Sequence, residues 1–167
     1  VCIVCIALAH KDSMGNGRTL QPGQIQLMSA GKGVTHSEFN PSKTEGASLL
    51  QIWIRPRQRG LTPSYTEWHP DPAKENEPKV LVISPDGREG SATIHQDADI
   101  YRVRLPKGQS ITHDIQTGRG VWFQLIKGGV TAHGSTLKPG DAFSTEDTGT
   151  LNLTASEDAE ALLFDLA

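Results

Sequence analysis

The chain has 167 residues, a formal net charge of −3 and 36% hydrophobic residues, an ordinary globular composition once its 17 glycines are added, with room for one domain or two small ones. Its lysines and arginines are spread along the chain and build no nucleic-acid face, and no apolar run is long enough to cross a bilayer. Cys2 and Cys5 lie too close together for a disulfide framework and have no second pair for a zinc site, which suits a reducing cytoplasm.

The chain opens inside the apolar run Val1–Ala9, with no basic residue before Lys11. That is not the pattern of a secretory signal, and it reads as a buried strand truncated upstream. Gly15-Asn16-Gly17 makes a turn, and a strand at Thr19–Leu20 leads to the turn pair Pro22-Gly23. Ile25 and Leu27 then alternate with Gln24 and Gln26, the period of a strand with one buried face. Gly31 and Gly33 break the ladder or let the backbone approach something closely. After the turn at Asn40-Pro41-Ser42, Ala47–Ile54 reads as a central strand buried on both faces. Five prolines between Arg55 and Lys79 mark a loop, anchored by Tyr65 and Trp68. Strands follow at Lys79–Ser84, Ala92–Gln96, Asp99–Leu105, Gln109–His113, Val121–Ile126, Val130–His133, Thr150–Thr154 and Glu160–Leu166. Lys127-Gly128-Gly129 reads as a hairpin turn and the stretch from Ser156 as a turn. Many short strands with Gly/Pro punctuation indicate an all-β sandwich or barrel.

Chemistry concentrates at His36-Ser37-Glu38. Residues two apart on a strand share a face, so an imidazole and a carboxylate point the same way, offering a borderline nitrogen and a hard oxygen to a divalent metal. The same pair also reads as two solvent-facing, hydrogen-bonded side chains. Trp53 and Trp122 read as core or pocket wall, and His95 and His113, which alternate with apolar residues in the second copy, as surface or inter-barrel hydrogen-bonding residues and not metal ligands.

The chain also repeats. Leu20-Gln-Pro-Gly23 matches Leu137-Lys-Pro-Gly140, Ala9-His10 matches Ala132-His133, and Leu49–Ile54 echoes Ala161–Leu166. Two tandem β-barrels explain this, an N-terminal one over 1–83 and a C-terminal one over 84–167. In this alignment Leu153 stands opposite His36, so only the first copy carries polar ligand candidates. Cys5-Ile6 stands where the second copy has its Gly128-Gly129 turn.

The order of Asp12-Ser-Met-Gly-Asn16, Met28-Ser-Ala-Gly31, Gly33-Val-Thr-His-Ser-Glu-Phe-Asn-Pro41 and Leu50-Gln-Ile-Trp-Ile54 resembles the pirin family of bicupins. Ser84-Pro-Asp-Gly-Arg88, Ile94-His-Gln-Asp97 and Leu162–Leu166 resemble its bacterial quercetin 2,3-dioxygenase-like branch. The resemblance implies two cupin (jelly-roll-like) barrels, the first incomplete here. It implies a divalent metal, usually iron, held in the first barrel by a His-x-His pair and a His-x-Glu pair. His36 and Glu38 fill the second pair; the first belongs upstream of Val1, and no residue is singled out as catalytic. His10 is the nearest spare histidine, either a replacement ligand or, like its repeat partner, a strand-end residue. The implied activity is metal-dependent opening of a flavonol ring by dioxygen, impaired by the missing ligands. The alternative is a non-enzymatic, metal- or partner-binding (redox-sensing, regulatory) pirin. A monomer, with neither nucleic acid nor membrane as partner, completes the expectation.

Overall fold

A computed structural model describes the backbone of residues 2–4 and every residue from 7 to 167. The turn expected at Cys5-Ile6 and the side-chain readings of Cys2 and Cys5 lie outside the described residues. The protein is all-β. It divides into two compact units, Val1–Pro72 with Ala92–Gln96, and Ala73–Ser91 with Asp97–Ala167. The chain leaves the first unit at Pro72 and returns to it for five residues, a passage that no single sequence cut expresses.

The first unit holds β1 (Cys2–Val4), β2 (Leu8–Asp12), β3 (Gly17–Leu20), β4 (Ile25–Ser29), β5 (His36–Phe39), β6 (Leu49–Gln51) and β7 (Ser64–Trp68). They form antiparallel sheets in the orders β6-β1-β4-β7 and β3-β2-β5. β7 lies where prolines argued for loop alone. Pro63 sits just ahead of it, where a missing N–H costs the ladder nothing, and Trp68 is buried. Gly31 carries out the close approach foreseen for it. Its φ is 51°, and an added Cβ would stand 2.1 Å from the Leu61 carbonyl oxygen, which accepts the Lys32 N–H at 2.9 Å.

In chain order there follow β8 (Lys79–Ser84), β9 (Ala92–Thr93), β10 (Ala98–Leu105), β11 (Ser110–Ile115), β12 (Gly120–Lys127), β13 (Val130–Ala132), β14 (Ser135–Leu137), β15 (Ala142–Thr145), β16 (Gly149–Ala155) and β17 (Ala159–Leu166). Within the second unit the strand orders are β15-β12-β17-β10-β8 and β11-β16-β13-β14. Phe123, Leu125, Leu151, Leu153, Ala161 and Leu163 fill the space between these sheets. β12 and β13 belong to different sheets, so Lys127–Gly129 is a crossing and not a hairpin. Gly128 makes it feasible, because a Cβ there would stand 2.0 Å from the Asp158 carbonyl oxygen. His113 is buried within this unit and is not a surface residue. Its Nε2 lies 2.8 Å from Asp165 Oδ2, tying β11 to β17, and Arg119 donates to the same carboxylate. Trp122 faces outward instead of into the core.

Strand register defines how the two copies correspond. Leu8 pairs with Leu20 as Val130 pairs with Leu137, and Ala9 pairs with Phe39 as Thr131 pairs with Thr154. His10 therefore corresponds to Ala132, His36 to Leu151 and Glu38 to Leu153. The sequence alignment, anchored on the Ala-His dipeptides, had set His10 against His133 and His36 against Leu153. The difference arises in the turns. The second hairpin closes through His133-Gly134, both at positive φ, whereas the first continues to a Lys11–Gly17 pair. Two-residue turns with positive φ suit the twist of a tight hairpin. On the facing sheet Cys2 pairs with Gln26 and Gln51 as Phe123 pairs with Phe143 and Leu163. β6 thus corresponds to β17, a buried central strand in the second unit. In the first unit it is a three-residue edge strand, half-buried at Leu49 and Leu50. The sequence reads as central because its residues are those of a central strand; the neighbour is what differs. Among the described residues no strand of the first unit stands beside β5 as β11 stands beside β16.

Candidate functional site

The inner face of the first unit is polar where that of the second is apolar. His10, Gln26, His36, Glu38 and Gln51 occupy positions that carry Ala132, Phe143, Leu151, Leu153 and Leu163 in the second unit. A barrel of this plan needs no polar interior to fold, since the second unit fills the same positions with hydrocarbon.

β5 projects His36 and Glu38 to one side, and both line a cavity of about 450 Å³ within the first unit. Glu38 is half-buried, and two amides hold its carboxylate. Gln26 Nε2 donates to Oε1, and Gln51 Nε2 donates to Oε2 at 3.3 Å. Gln26 is only 2% exposed, so the period-2 reading, which put it on the outer face, is corrected: on β4 both Ile25 and Gln26 are enclosed. The Tyr65 hydroxyl lies 3.3 Å from Gln26 Oε1 and 3.0 Å from Glu67 Oε1. Burial, then the hydrogen bond and charge of Glu67, push the Tyr65 phenol well above its usual range, so it stays a proton donor. Trp53 also lines the cavity and donates its indole N–H to Gln51 Oε1 at 3.1 Å. Met28, Ile52 and Ile94 supply apolar wall, and His95 joins them from the returning segment of the first unit.

Beneath His36 lies His10, 2% exposed and stacked on it with ring centroids 5.7 Å apart. Tyr65 stacks on His10 at 4.9 Å. His10 Nε2 lies 3.3 Å from Asp12 Oδ2, and its Nδ1 has no partner among the described residues. His10 is therefore an enclosed mid-strand residue, unlike the exposed His133 at the turn. Burial by itself would raise the Asp12 pKa, but hydrogen bonds from the Asn16 side chain and backbone, His10 and Met14 N–H hold it down at about 2. The folded-state pKa lies below the ordinary value of 3.8, so this group's contribution is present above pH 4 and is lost as pH falls toward 2. Asp12→Asn is expected to remove up to one proton of pH dependence from acid unfolding between pH 4 and 2, followed by circular dichroism. Unchanged acid unfolding would contradict it.

The donors fit a divalent metal in kind, an imidazole beside a carboxylate. They fall short in number. An open catalytic site takes three protein ligands, and among the described residues no group of three or more His, Cys, Asp or Glu is placed to hold an ion. His10 does not make up the number: its Nδ1 has no partner, but the residue does not line the cavity and no third donor is placed with it among the described residues. Among the described residues no helix is long and apolar enough to cross a membrane. Sequence reasoning singled out His36 and Glu38 and passed over Gln26, Gln51 and Tyr65. The internal repeat held the missing signal, because aligning it by register sets each glutamine against a core hydrophobe.

Comparisons with known proteins bear on both units. The family model described as Pirin matches residues 3–54, and the one described as Quercetinase C-terminal cupin domain matches residues 81–166. The quercetin 2,3-dioxygenase of Escherichia coli (strain K12) is 44% identical over 157 residues, covering 94% of this chain and 67% of the relative. The crystal structure of YhhW from Escherichia coli superposes with a TM-score of 0.94 at 42% identity, over 99% of this chain and 70% of that one. A structure of bacterial pirin YhhW in complex with nickel(II) gives a TM-score of 0.92 at 41% identity, with the same coverage. The chain spans about two-thirds of the length of these relatives.

Proposed function

The chain belongs to the pirin family, and from that premise we propose that its first unit is a flavonol-binding site of quercetin 2,3-dioxygenase type. In this reading His36 and Glu38 contact a divalent metal, iron in the working protein. The observation that carries it is the gathering of His36, Glu38, Gln26 and Gln51 around one cavity, at positions where the second unit is apolar. That a relative is described in complex with nickel(II) supports a divalent ion in this reading.

The chain's own groups have definite tasks. The two amide N–H bonds hold the Glu38 carboxylate at the cavity wall, the kind of outer support that orients a ligand. The Met28, Ile52 and Ile94 wall displaces water from a flat apolar ligand. With two donors in place, no step through the ion follows from this chain by itself, and we propose that its metal affinity and turnover are low. Calorimetric titration with nickel(II) or iron(II) is expected to show weak binding that disappears in His36→Ala. Tight stoichiometric binding would overturn the impairment. Dioxygen uptake with loss of the quercetin absorbance band tests the reaction itself.

The shortfall in donors favours one further reading, a pirin that binds metal or a partner without turnover. An unchanged quercetin band, with and without added metal, would select it.

A further inference from the structure

We propose that Trp53 is the stacking platform for the planar ring system of a flavonol-class ligand, a role that rests on the flavonol reading above. Trp53 is 89% exposed, although its indole lines the cavity that holds His36 and Glu38. A side chain of this size normally contributes to folding by burial, and Trp53 contributes almost none. Its indole is nevertheless tethered. The indole N–H donates to Gln51 Oε1 at 3.1 Å, and the Gln51 amide donates to Glu38 Oε2 at 3.3 Å. The edge of the ring is held two hydrogen bonds from the Glu38 carboxylate, while its face stays open. A surface set in place before binding loses little freedom when a ligand settles on it.

The second unit shows that the fold does not require an aromatic residue here. Two positions beyond Leu163, the counterpart of Gln51, stands Asp165, buried and engaged by His113 and Arg119. One position thus carries an enclosed ion-pair partner in one copy and an open indole in the other, which separates Trp53 from the needs of the barrel. The ligand chemistry follows from the surroundings. The Trp53 face and the walls of Met28 and Ile52 suit a flat, apolar ring system. The Glu38 oxygens accept hydrogen bonds, so the ring edge that reaches them carries hydroxyl donors. The cavity, about 450 Å³, has the size of pockets that enclose small organic ligands.

Two probes separate stacking from chelation: quercetin, whose hydroxyls can reach a metal or Glu38, and unsubstituted flavone, which offers rings without hydroxyl groups. Dissociation constants are measured by equilibrium dialysis for the parent chain, Trp53→Ala and Trp53→Phe. Because Trp53 is exposed, neither variant threatens folding, and circular dichroism verifies this. Trp53→Ala is expected to weaken both probes by about tenfold or more, the loss typical of a removed aromatic stack. Trp53→Phe retains most of the affinity. Equal binding of both probes by Trp53→Ala and parent, or binding of neither probe by the parent, overturns the proposal. The two readings fail separately. Trp53-dependent binding without dioxygen uptake sinks the dioxygenase and leaves the platform standing, whereas turnover with an unchanged KM in Trp53→Ala does the reverse.

Discussion

Leu153→Glu is expected to unfold the second unit. Leu153 is 0% exposed on β16 and packs within the cluster that includes Phe123 and Leu163. Losing its burial costs about 2 kcal/mol. The larger cost is the charge: a carboxylate taken from water and left unpaired costs several kcal/mol. At the matching place in the first unit Glu38 is supported by Gln26 and Gln51, but Phe143 and Leu163 stand where those amides would be and offer no donor. The sum is a large share of the roughly 5–15 kcal/mol that holds a typical domain together. Urea unfolding followed by the fluorescence of Trp122, which lies in the second unit, would display the loss. A buried glutamate has a raised folded-state pKa, so the defect should lessen as pH falls and the new side chain neutralises. An unchanged urea midpoint at pH 7 would contradict the correspondence on which the site is built.

The reciprocal exchange, Glu38→Leu, should have the opposite character, sparing the fold and removing the site. Glu38 is half-buried in an open cavity, so water can take over the amide donors it leaves behind, and the folding cost stays within about 1–2 kcal/mol. Nickel(II) affinity, measured by calorimetry, should fall by at least about tenfold, the loss seen even for residues that merely orient a ligand. Glu38→Gln serves as the shape-preserving control and should lose metal affinity too, because a neutral amide replaces the charged oxygen donor. Affinity unchanged in both variants would remove Glu38 from any metal site.

Fold class and most strands were legible because alternation and Gly/Pro punctuation report local geometry directly. β10, β12 and β17 match the expected runs to within two residues at either end. What failed depended on neighbours. Leu49–Gln51 carries the residues of a central strand, and the sequence cannot say that among the described residues one flank pairs with no strand. Ser64–Trp68 is short and follows a proline, so its pairing with β4 outweighed the local signal. The site was legible at His36 and Glu38, where the residue types announce their chemistry. Gln26 and Gln51 were not, since a glutamine in an alternating strand looks like solvent-facing filler until the register reveals what lies across from it.

The strand orders of the first unit have a consequence for the protein in concentrated solution. Among the described residues β5 and β6 each end a sheet, as β3 and β7 do at the opposite ends, and a strand at a sheet end presents a column of amide and carbonyl groups that water satisfies only until another chain arrives. Such borders on one unit are not the same surface, and a molecule that joins one border of a copy to a different border of the next makes a contact that need not close on itself. Growth of that kind yields filaments instead of discrete dimers, and it would draw on the same β5 that carries His36 and Glu38.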